Sequence, residues 1–142
     1  MKSNNKTHTT NYSDTFIEIA EDSKQNIAEP PPLSEKSKTI ARLQYEMLLN
    51  NPYKYTSDDV LFSVFAIKNG IADAELVKSR EEYFSKGQPC FRASPLTKRY
   101  GWGIHSDNNG KIAMYGVESE EYREFLDDNS TTKVKAMRSS RK

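Results

Sequence analysis

The sequence predicts an α+β fold: a small, mostly antiparallel sheet with about four helices packed on one face. Three observations lead there. Apolar residues recur at helical spacing through two stretches in the middle of the chain, 37–49 and 60–67. A short run near the start, Thr15–Glu21, alternates as a strand does. Further on, Asp107-Asn108-Asn109-Gly110 is the clearest turn in the chain and separates two alternating runs, 102–106 and 111–117.

The elements follow in order. Residues 1–13 are polar and rich in Asn, Thr and Ser, and read as an unstructured tail. In the first strand Ile17 and Ile19 share one face, and Phe16 and Ala20 share the other. Pro30-Pro31-Pro32 then imposes an extended connector, since proline fixes φ and cannot donate a backbone hydrogen bond. From about Ser37 a helix carries Ile40, Leu43, Met47 and Leu48, broadened by Tyr45 and Leu49, and Asn50-Asn51-Pro52 ends it. Thr56-Ser57-Asp58-Asp59 is a helix start: a hydroxyl caps the free N–H groups and the carboxylates favour the positive end of the dipole. Val60, Leu61, Val64 and Phe65 are its buried stripe, and Phe62 and Ile67 extend the apolar surface. Gly70 suits a left-handed C-terminal cap. A third helix runs from an Asp73 cap through Leu76, Val77, Arg80, Tyr83 and Phe84, with Gly87 closing it as Gly70 does. A fourth begins at Ser119-Glu120-Glu121 and carries Tyr122, Phe125 and Leu126. The domain proper spans 14–128, and 129–142 reads as a basic, mostly flexible tail, with Lys133–Met137 as an alternative edge strand.

The densest chemistry lies between Gly87 and Ser119. This stretch holds the only Cys and Trp (Cys90, Trp102), one of the two His (His105) and five of the six Gly. A symmetric hairpin turn pairs Ile104 with Ala113 and Trp102 with Tyr115. Cys90–Ser94 folds back as a further strand, with Arg92 near His105. In that arrangement Phe91, Ala93, Trp102, Ile104, Ala113, Tyr115 and Val117 face the core. Cys90, Arg92, Ser94, Gly103, His105, Ile112, Met114 and Gly116 face outward, around a dent left by Gly101, Gly103 and Gly116.

Composition narrows the function classes. The 142 residues carry a net charge of +1, which gives no general pull toward nucleic acid. The last ten residues, KVKAMRSSRK, are the exception: five are basic and none is acidic. One Cys excludes an internal disulfide and a Cys-based zinc site. There is no apolar signal segment and no run near the ~20 apolar residues that a membrane helix needs, so the expected compartment is the cytoplasm.

The runs NPYKYTSDDVLF, SPLTKRYGWGIH and KVKAMRS resemble those of an uncharacterised family of small bacterial proteins of unknown function. The resemblance extends from about Thr15 to the C-terminus. It implies a bacterial cytoplasmic protein and carries no activity, cofactor or catalytic residue.

The function therefore rests on the residues. Arg92, Lys98, Arg99 and His105, with Gly101, Gly103 and Gly116, make a candidate ligand-binding face. The leading expectation is a non-enzymatic or regulatory binding module for a small anionic ligand or a protein partner. Against it stands a solvated hairpin loop with no ligand. An enzyme using Cys90 or His105 is the second class, but a thiol and an imidazole with no orienting carboxylate are more often structural. A nucleic-acid accessory protein using the Lys98–Trp102 loop and the basic tail is the third. No catalytic set, metal site or cofactor is assigned.

Overall fold

A computed structural model describes residues 7–33 and 36–139 of the chain. The strands are β1 (Thr15–Glu18), β2 (Trp102–Ser106), β3 (Ile112–Gly116) and β4 (Thr132–Lys135). The helices are α1 (Ile40–Leu49), α2 (Ser57–Lys68), α3 (Leu76–Tyr83), α4 (Pro95–Lys98) and α5 (Glu120–Asp127). The fold is α+β. One sheet runs β3-β2-β1-β4, with β1 antiparallel to β2, β2 antiparallel to β3, and β4 parallel to β1.

Helix α2 starts as its sequence predicts. Thr56 Oγ1 accepts from Asp59 N while Asp59 Oδ2 accepts from Thr56 N, a reciprocal capping box. Gly70 has φ +61°, the left-handed value expected at that helix end. Ser119 caps α5 by accepting from Tyr122 N. Asp73 does not cap: a short 3₁₀ turn, Asp73–Glu75, precedes α3. Gly87 does not take a positive φ either.

Helices α1 and α2, with Phe91 and Leu96, bury Ile17, Ile104 and Ile112 on one side of the sheet, and α3 packs against α2. The buried stripe of α1 is Ala41, Gln44, Tyr45 and Leu48, while Ile40 and Leu49 are exposed. The fifth helix, α5, covers the opposite side, where Phe16 meets Tyr122 edge-on and stacks on Phe125.

The hairpin register is one residue away from the symmetric expectation. Trp102 pairs with Gly116, Ile104 with Met114 and His105 with Ala113. The loop explains the shift. Gly110 adopts φ +81°, Gly110 N donates to Asp107 O, and Asp107 N donates to Lys111 O. Three residues, 108–110, thus form the loop where a two-residue turn gives the symmetric pairing. Asp107 Oδ1 accepts from Asn109 N and Lys111 N and fixes this geometry. One residue of slip exchanges the faces of β3: Ile112 and Met114 join the core under α1 and α2, and Ala113 and Tyr115 face α5.

Cys90–Ser94 is not a strand. Phe91–Ala93 is a 3₁₀ turn, and Ser94 caps α4 by accepting from Leu96 N. Pro95 occupies the first turn of that helix, where a missing N–H costs nothing.

Both ends of the described chain pack, against the expectation of loose tails. Asp58, 8% exposed, accepts from Thr9 Oγ1, Thr10 N and Thr10 Oγ1. Asn11 Oδ1 accepts from Asp58 N. The first turn of α2 thereby satisfies the polar segment that composition alone marks as unstructured. At the other end β4 completes the sheet, as the alternation of Lys133–Met137 allows. Residues 1–6 of the expected N-terminal tail and 140–142 of the basic tail lie outside the described residues.

Candidate functional site

Of the expected ligand-binding residues, the three glycines come together across β2 and β3, but Arg92 and His105 are separated. Arg92 lies at the outer edge of the sheet, where its Nε donates to Lys135 O at 2.7 Å and its carbonyl accepts from Met137 N. This seals part of the exposed edge of β4. His105 is on β2, with β1 and β4 between it and that edge. Lys98 and Arg99 end α4, with Arg99 exposed.

The three glycines mark no open dent, because the chain's own atoms fill it. A Cβ on Gly103 would stand 2.5 Å from Phe16 Cζ and 2.7 Å from Tyr122 Cε2. One on Gly101, at φ +84°, would meet Ala28 and Gln25 at 3.1 Å. One on Gly116 would meet the Glu118 carboxylate at 2.8 Å. The segment 25–29 lies over this surface: Trp102 Nε1 donates to Glu29 O, Glu29 N to Tyr100 O, and Ala28 N to Glu118 Oε1. Trp102 packs on the core beside Tyr45, with ring centroids 5.7 Å apart.

His105 belongs to an aromatic cluster under α5. Its ring stacks on Phe125 at 4.1 Å, with planes 19° apart. Its Nδ1 lies 2.8 Å from Tyr53 Oη, which lies 2.9 Å from Tyr115 Oη. Burial lowers the proton affinity of His105, although Asp107, Asp14 and Asp128 pull the other way. Burial also raises the Tyr53 phenol well above its ordinary value, reinforced by Tyr115 and Asp107. At neutral pH the imidazole is neutral and Tyr53 keeps its proton. Tyr53 has φ +60°, a strained backbone for a bulky residue. Hydrogen bonds from Tyr53 N to Ile112 O and from Ile112 N to Tyr55 O hold it along the outer edge of β3. The cluster thus ties the α1–α2 connector to the sheet.

Cys90 is engaged elsewhere. Its Sγ lies 3.4 Å from Tyr12 Oη and accepts from Arg92 N. The thiol and His105 therefore hold separate partners and do not form a nucleophile–base pair.

The arrangement most like a binding site is a cavity of about 340 Å³ where α1, the end of α2 and the segment Pro89–Pro95 meet. Leu61, Val64 and Phe65 supply apolar wall, and Cys90 and Ala93 also line it. Gln44 is the most buried of its polar residues, which also include Ser94, Asn69 and Tyr83. It is 3% exposed, and its Oε1 accepts from Ser94 Oγ at 2.6 Å. The Ser94 oxygen accepts in turn from Leu96 N, which leaves its proton for Gln44. Gln44 Nε2 has no hydrogen-bond partner among the described residues, yet no fully buried side-chain polar atom there is unsatisfied. That nitrogen therefore keeps a small accessible area. Lys68 is the one charged residue in the lining. Its Nζ donates to Lys38 O at 3.0 Å, and it makes no ion pair among the described residues.

The description "Family of unknown function (DUF6157)" applies to a family that matches residues 7–142. The chain belongs to this family. No curated protein and no solved structure matches it. Among the described residues no group of three or more His, Cys, Asp or Glu side chains is arranged to hold a metal, and no helix is long and apolar enough to cross a membrane. What DUF6157 membership leaves open, the geometry has to argue.

Sequence reasoning passed over Gln44 and Tyr53. Gln44 has a retrospective signal: it lies three residues after Ala41 and four before Leu48, on the buried side of α1. Tyr53 has none, because its role depends on a left-handed backbone and on β3, about sixty residues away.

Proposed function

We propose that the protein is a non-enzymatic binding module that takes a small ligand into the Gln44–Lys68 cavity. The observation that carries this reading is Gln44: a nearly buried amide, held by Ser94 at its oxygen, with an unused donor in a mostly apolar lining. Ligand sites commonly have this make-up, a mostly apolar concave surface with a few fixed polar groups. The cavity replaces the glycine dent as the place for the ligand, because segment 25–29 already covers the dent. The family resemblance supports a bacterial, cytoplasmic setting.

The nucleic-acid reading is weakened at the tail. Lys133 Nζ donates to Asp128 O, Lys135 pairs with Glu18 and Arg138 with Glu21. Two of the five basic residues of the C-terminal segment are thus paired with carboxylates within the fold.

The test is a thermal-shift screen of small apolar and amphipathic compounds against the wild type and Ala93→Leu, which narrows the cavity. Hits that raise the melting temperature of the wild type and not of the variant support the reading. No hits, or hits that the variant binds equally well, overturn it.

A further inference from the structure

We infer that the cavity takes an anionic amphiphile, an apolar body carrying one negatively charged head such as a carboxylate. This rests on the cavity being the binding site and names what it selects. Three observations favour a single charge. The lining holds one cation, Lys68, and no carboxylate. Its spare donors, Gln44 Nε2 and the Lys68 ammonium, suit an acceptor head, and the apolar walls suit a hydrocarbon body. Finally, Lys68 and Asn69 stand at the C-terminus of α2, where the helix dipole is negative. That end opposes a dianion more than a monoanion, and Lys68 is the one charge in the lining that offsets it. A phosphate cradle has the opposite construction, with backbone N–H groups at a helix N-terminus. The half-exposed Ile40 extends the apolar surface of the lining outward.

Calorimetry on the full chain with octanoate, octan-1-ol, octylamine and octyl phosphate tests this. Octanoate is expected to bind about tenfold more tightly than octan-1-ol, the worth of a charge-assisted hydrogen bond. Octyl phosphate is expected to bind no more tightly than octanoate. Lys68→Met should weaken octanoate about fivefold, the upper end for an exposed charge pair, and leave octan-1-ol within about twofold. Lys68 is exposed, so Lys68→Glu folds, and it should reverse the preference between octanoate and octylamine. Equal binding of octanoate and octan-1-ol, or tighter binding of octyl phosphate, overturns the inference and leaves the cavity as a site for other ligands. If no octyl compound binds while the Ala93→Leu screen yields cavity ligands, the charge class alone is wrong. If neither experiment yields a cavity ligand, both readings fall.

Discussion

The side of the molecule beneath α5 and the side built by α1 and α2 use their residues in opposite ways. Beneath α5 the chain concentrates unusual chemistry: His105, three tyrosines, a glycine in a strand and a strained backbone at Tyr53. Every one of these is consumed by packing. Phe16 fills the space over Gly103, Phe125 covers His105, and the Tyr53 hydroxyl links His105 to Tyr115. On the α1–α2 side, apart from Cys90 and Lys68, the residues are mostly ordinary, leucine, valine, phenylalanine and a glutamine, and there a cavity of about 340 Å³ remains. Conspicuous residue types therefore misdirect. A histidine or glycine often solves a packing problem, whereas an unspent donor on a common residue can mark the site.

The contrast can be broken from the packed side first. Phe16 is fully buried between Tyr122 and Phe125. Phe16→Ala should cost about 4 kcal/mol in urea unfolding, typical for removing a core phenylalanine. A loss below about 1 kcal/mol would mean that α5 packs loosely. Gly103→Ala comes next. Its new methyl has no room beside Phe16 and Tyr122, and overpacking of this kind costs about 2 kcal/mol. A neutral result would show that α5 can shift to admit it.

The pH dependence sharpens the same point. His105 holds its proton less tightly when folded than unfolded, because burial disfavours the imidazolium. The unfolded chain therefore binds more protons as pH falls. The contribution from His105 is fully present above about pH 6.5, the unfolded value, and declines below it. His105→Phe should flatten the stability profile as pH falls below about 6.5. An unchanged slope would mean that another group controls it. At alkaline pH the sign reverses. Tyr122, pushed up to about 12 by burial, contributes stability that is lost as pH rises above about 10.

The smallest effect is expected on the cavity side. Gln44→Leu removes one hydrogen bond to Ser94, whose oxygen keeps its bond from Leu96 N. The cost should be about 1 kcal/mol, the low end for a buried hydroxyl that loses its acceptor while an apolar side chain of similar size replaces the amide. A larger loss would place Gln44 among the structural residues and remove the argument for a ligand.

The sequence carried much of the fold, and the reasons for what it hid are physical. Local signals held: the Thr56 cap with Asp59, the Gly70 helix end, the Ser119 cap and the Asp107–Gly110 turn. The turn revealed that a hairpin exists but not its register, because Gly110's positive φ adds a residue to the loop. Ser94-Pro95 read as part of a strand and connection because a helix of four residues has too few positions to show a period. The polar run Thr9-Thr10-Asn11 looked unstructured because its partner, Asp58, is nearly fifty residues away. Of the candidate site, Cys90 was singled out for its chemistry, whereas Gln44 was hidden among the apolar residues of α1.

The most direct measurement is methyl NMR of the full chain, with labelled Ile, Leu and Val, titrated with octanoate. The account predicts saturable shifts at Ile40, Leu61 and Val64, which line the cavity, and none at Leu126 on α5. Saturable shifts centred on Leu126, or none at the cavity methyls up to the solubility limit of octanoate, would contradict it.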